Sequence, residues 1–61
     1  MNNQQIYNYI TQKIKSINTR NYVTWDSREY ICRTFDDFLG NKEYRAKTLA
    51  ELKEIVDKEI K

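Results

Sequence analysis

The sequence predicts an α+β fold: one small α-β-β-β-α domain over residues 1–61, with a three-stranded antiparallel sheet packed with two helices. Three observations carry this. Ile6, Ile10, Ile14 and Ile17 recur at spacings of four, four and three, the period of one helix face. The stretches "NYVTW" and "EYICRTF" then switch to a period of two and are rich in β-branched and aromatic residues. Finally, Thr48 followed three residues later by Glu51 has the form of a capping box ahead of Leu49, Leu52, Ile55, Val56 and Ile60.

The first helix is expected to start at Asn2 or Asn3, with Gln5 placed to reach back to Asn2, and to end near Asn18 in "NTRN". Tyr7 joins Ile14 on its apolar side, and Lys13 and Lys15 fall where the helix dipole favours cations. The two period-two stretches form a hairpin around the polar "DSR". On its second strand Tyr30, Cys32 and Thr34 face one way, and Ile31, Arg33 and Phe35 the other. "DDFLGNK", with the only glycine, reads as a turn with room for one helical turn over 36–39. "KEYRAKT" alternates Tyr44 and Ala46 against Glu43, Arg45 and Lys47, as an edge strand with one wet face. The second helix is expected to run to the chain end, with Glu54–Lys58 and Asp57–Lys61 as i, i+4 pairs.

A chain of this length buries only about 60% of the surface its unfolded form exposes. One small core must therefore hold it, and a partner or a second copy would help. The 39% apolar and 33% charged content lies within the folded range. No apolar run has the length of a membrane span, and "MNNQQIYNY" lacks the form of a signal peptide, so a cytoplasmic location is expected. A lone cysteine suits that reducing compartment. Residues 1–21 carry +3, residues 22–40 carry −2 and the remainder +1, without a dense basic stripe.

Chemistry is poorly provided for: the chain has no histidine, Gly-rich loop, nucleophile elbow or paired-cysteine motif, so no catalytic, cofactor or metal site is expected. Asp36, Asp37 and Glu43 could suggest a cation site but read as a solvated turn. Cys32 reads as buried packing rather than a reactive thiol. The expected function is binding, centred on "WDSREYICR", where the only tryptophan, a tyrosine, the only cysteine and two arginines fall together. Tyr22, Trp25, Tyr30 and Phe35 are the expected anchors, with Arg28 and Arg33 at the rim, since Trp, Tyr and Arg dominate protein interfaces.

The segment "EYRAKTLAELKEIVDKEIK", a charged strand running through a Thr cap into a closing helix, resembles the C-terminal third of many small phage-encoded proteins. That resemblance implies a mobile-element accessory protein of the anti-CRISPR or host-takeover kind, which inhibits or modulates a larger host protein by docking on it. Such proteins share no common motif, so the resemblance assigns no residue. The same ending is similar to the three-stranded DNA-binding domains at the N-termini of phage integrases. Their aromatic and basic residues are matched here; their glycine pattern is not. The second expectation is therefore nucleic-acid binding, with Arg20, Arg28, Arg33, Arg45 and Lys47 on phosphates and Tyr or Trp stacked on bases. A homodimer through a face carrying Ile31 and Phe35 is a further expectation.

Overall fold

The computed structural model describes residues 2–60 and has the predicted order of elements. Helix α1 (Asn3–Ile17) opens with a reciprocal box: Asn2 Oδ1 accepts the N–H of Gln5 at 2.8 Å, and Gln5 Oε1 accepts that of Asn2 at 3.0 Å. It ends at Asn18, whose N–H reaches Ile14 O at 3.2 Å. Strands β1 (Tyr22–Trp25), β2 (Tyr30–Thr34) and β3 (Lys42–Ala46) form one antiparallel sheet in the order β1-β2-β3, so β3 is an edge.

Helix α2 (Leu49–Glu59) begins at Thr48, whose Oγ1 accepts the N–H of Glu51 at 3.1 Å. This is half of the predicted box; Glu51 stays exposed in the first turn, where the helix dipole still favours its charge. The helix stops at Glu59 with Ile60 as its cap, short of the predicted run to the end, and the Asp57–Lys61 pair lies outside the described residues. The i, i+4 pair that forms is Lys53–Asp57 at 2.9 Å, in place of Glu54–Lys58. Thr48→Ala removes one of the four orphan N–H partners of α2 and is expected to cost about 1 kcal/mol, read as a lower urea midpoint. An unchanged midpoint would deny the cap any energetic role.

Both helices pack on one face of the sheet, α1 against β1 and α2, and α2 against β3 and β2. Ile6, Ile10 and Ile14 meet Leu49, Leu52 and Val56 over Val23, Cys32 and Ala46. Strand alternation then gives each side chain a side. Val23, Trp25, Tyr30, Cys32, Tyr44 and Ala46 share the helix side, while Tyr22, Thr24, Ile31, Arg33, Glu43 and Arg45 share the open side.

Two expectations are corrected here. Ile31, expected on an exposed apolar face, is only 3% exposed. Its cross-strand neighbours are Thr24 and Arg45, and long arginine stems cover apolar surface while keeping their charge in water. Ile17, expected in the core, is 57% exposed. A helix of 15 residues is about 22 Å long, whereas strands of four or five residues span about 13 to 17 Å, so the last turn of α1 outruns the sheet.

The helices are also clasped by Asp57. Its Oδ1 accepts from Tyr9 Oη at 2.6 Å and from Lys13 Nζ at 2.9 Å, and its Oδ2 from Lys53 Nζ at 2.9 Å. Lys53, Tyr9 and Lys13 together hold its carboxyl well below the usual carboxylate range. The stabilisation this gives is whole above about pH 4, the unfolded value, and is lost as pH falls toward the depressed native value. Asp57→Asn is expected to flatten the fall of the urea midpoint between about pH 5 and pH 2. An equally steep fall in the variant would place the acid sensitivity elsewhere.

Candidate functional site

The predicted site residues divide between two ends and two faces of the domain. At the hairpin end, Asp26 builds the connection 26–29. Its N–H donates to Glu29 O at 3.1 Å, and its Oδ1 accepts from the N–H groups of Arg28 at 2.9 Å and Glu29 at 3.0 Å. These bonds, from Arg28 first and then Glu29, lower the Asp26 carboxyl. Trp25 falls on the helix side by register; it is 53% exposed and its ring centroid lies 4.5 Å from that of Tyr30, which packs against the core. The stacked pair is worth about 1 kcal/mol beyond the area it buries, and the sheltered half of the indole adds about as much again. Trp25→Ala is therefore expected to leave a folded domain with a midpoint lowered by that much, and Arg28→Ala to leave it unchanged. Loss of cooperative folding in Trp25→Ala would mean the indole is part of the core.

The open face is a chain of charges. Arg33 donates from Nε to Glu43 Oε1 at 2.9 Å and from Nη1 to Tyr22 Oη at 2.9 Å. Arg45 donates to Glu43 at 2.8 Å, Glu29 at 2.9 Å and Asp26 at 3.3 Å. Arg45 and then Arg33 draw the Glu43 carboxyl down, and the hydrogen bonds to Glu43 and Glu29 raise the Arg45 guanidinium. Both arginines are thus committed to carboxylates of the same chain. Arg20 lies over the Phe35 ring at 5.0 Å, and Tyr22 sits 6.2 Å from Phe35 at the far end of this face.

Side-chain hydrogen bonds to the backbone build that far end. Asn21, 1% exposed, donates from Nδ2 to Ile14 O at 2.9 Å and accepts at Oδ1 from the N–H of Phe35 at 2.8 Å. Asn18 Nδ2 donates to Phe35 O at 3.0 Å. Two asparagines from "NTRN" therefore grip both backbone groups of the residue that leaves β2. The next residue, Asp36, accepts at Oδ1 from the N–H groups of Phe38 at 2.7 Å and Leu39 at 2.8 Å, and its carbonyl accepts from Gly40 at 2.9 Å. Gly40 closes the turn at φ +84°, a conformation that strains other residues. The N–H of Leu39 first, then that of Phe38, lowers the Asp36 carboxyl.

This turn holds up Phe38, 98% exposed, and Leu39, 73% exposed. Sequence reasoning missed both by treating "DDFLGNK" only as a connection. The available signal was two consecutive large apolar residues among turn formers, with no periodic partner on either side. Beside the turn lies a groove of about 290 Å³, bordered by Ile17, Leu39, Tyr44, Ile60, Asp36 and Glu59. A second groove of about 280 Å³, which includes Tyr22 and Arg33, shares Thr34, Phe35 and Lys42 with it.

Of the predicted anchors, Tyr22, Arg33 and Phe35 thus adjoin the exposed turn, whereas Trp25, Arg28 and Tyr30 lie at the opposite end. Cys32 is fully buried and its thiol is pushed up to about 11 by burial, which makes it a packing residue. Among the described residues no group of three His, Cys, Asp or Glu side chains could hold a metal ion, and no helix is long and apolar enough to cross a membrane. No family model, curated protein or solved structure matches this chain.

Proposed function

We propose that the chain is a non-enzymatic binding protein that docks on a larger protein through the end carrying Phe38 and Leu39, with Phe35 and Tyr22 alongside. In the setting its C-terminal segment suggests, it is a phage or mobile-element accessory factor that inhibits or modulates a host protein by occupying its surface. One observation carries the reading: Phe38 is 98% exposed on a turn whose backbone is fixed by Asp36 and Gly40. An aromatic side chain left in water forgoes about 1.5 to 3 kcal/mol of burial, which a small domain has reason to use internally. A rigid turn also loses little entropy on docking.

The nucleic-acid reading is weaker on this surface, because Arg33 and Arg45 are bound to carboxylates and the exposed aromatic stands beside Asp36 and Asp37. A dimer through Ile31 loses its apolar anchor, since that side chain is covered.

A photo-crosslinking residue at position 38, with a matched probe at position 28, tests the proposal in extracts of the native host. The expected result is a single discrete adduct from position 38, suppressed by excess unlabelled wild-type chain. An adduct from position 28 alone, or none that competes, would contradict it.

A further inference from the structure

We infer that the groove beside the turn takes one apolar side chain from a Lys- or Arg-rich segment of the partner protein. This rests on the docking reading above and names the partner's chemistry. The groove's volume of about 290 Å³ is ample for one such side chain, since a cavity of about 150 Å³ lined by Leu, Ile and Phe takes up benzene. Its apolar walls come from Ile17, Leu39, Tyr44 and Ile60.

Charge selects the occupant. The chain carries +2 overall, yet among the described residues that line the groove or form the turn, Asp36, Asp37 and Glu59 stand against Lys42, and the one further cation beside the lining, Arg20, lies over the Phe35 ring. Asp37 and Glu59 make no ion pair with a described residue, and Asp36 is held ionised by the turn's own N–H groups. A second copy meeting this end about a two-fold axis would set the same acids against themselves. A nucleic acid or an anionic membrane would be repelled as well. A basic segment with an apolar anchor satisfies both the walls and the rim, with the rim charges governing encounter and orientation.

Short synthetic peptides test this on the isotope-labelled full chain by NMR. One set places a central Leu, Phe or Trp between lysines and arginines; the matched set places it between aspartates and glutamates. The basic set is expected to shift the amides of Ile17, Leu39, Tyr44 and Ile60, to bind more weakly as salt rises, and to lose about tenfold in affinity with Asp37→Lys combined with Glu59→Lys. Both substitutions lie on exposed positions and keep the fold, which the same spectra verify. Equal binding of the acidic set, shifts confined to the hairpin end, or self-association through these residues in sedimentation would overturn the inference. A crosslink from position 38 without basic-peptide binding would also overturn it while leaving the docking reading in place. Basic-peptide binding at the groove without a crosslink would support it and defeat the docking reading instead.

Discussion

Asn21→Ala is expected to lower the stability of the domain by about 2 to 4 kcal/mol, the largest effect of any polar substitution in it. The side chain is buried and makes two hydrogen bonds, one to Ile14 O and one from the N–H of Phe35. Each such bond contributes about 1 kcal/mol net, but a buried partner left unsatisfied costs about 1 to 3 kcal/mol. A 61-residue chain has a total of only about 3 to 9 kcal/mol on the usual per-residue scale. The variant should therefore be largely unfolded at moderate urea, and where folded it should show faster amide exchange at Phe35 and through 36–40. A urea midpoint equal to the wild type's would show that Asn21 merely occupies the space.

Phe38→Ala is expected to weaken binding to the docked protein by about 2 kcal/mol or more, near thirtyfold, while leaving the urea midpoint unchanged. The separation of the two effects follows from exposure. At 98% exposed, the ring touches almost nothing in its own chain, so its removal uncovers almost no apolar area. On docking, the same ring passes from water into a packed site, and aromatic anchors of this kind dominate interface energetics. Leu39→Ala should behave similarly but with a smaller loss, since that side chain is partly sheltered beside the groove. Loss of folding in Phe38→Ala would place the ring in the core, and unimpaired binding would remove it from the interface.

The elements were legible because each has a local cause. The 4-4-3 spacing of Ile6, Ile10, Ile14 and Ile17, the Asn2–Gln5 box and the Thr48 cap act over a few residues, and all produce the helices expected. What failed needs three-dimensional information. Ile17 continues the stripe in sequence, but α1 outruns the strands beneath it, and no local pattern reports strand length against helix length. The alternation along β2 already set Tyr30 apart from Phe35, but the side of Trp25 was not legible: the register Trp25↔Tyr30 puts it with Tyr30 and Cys32, away from Ile31 and Arg33. That register depends on the connection being residues 26–29, one longer than "DSR". Phe38 and Leu39 were hidden by composition, because "DDFLGNK" is dominated by turn formers and the turn itself was read correctly. The clamp by Asn18 and Asn21 joins the end of α1 to the exit of β2, a contact between segments that are distant in sequence.

Hydrogen–deuterium exchange of the full chain, alone and bound to the crosslinked partner, tests the docking surface most directly. Binding through the Phe38 end should slow exchange at the amides of 36–42 and of Ile17 and leave the connection 26–29 unchanged. Protection confined to Trp25, Arg28 and Tyr30, with 36–42 exchanging as in the free chain, would contradict the proposal and return the binding surface to the hairpin.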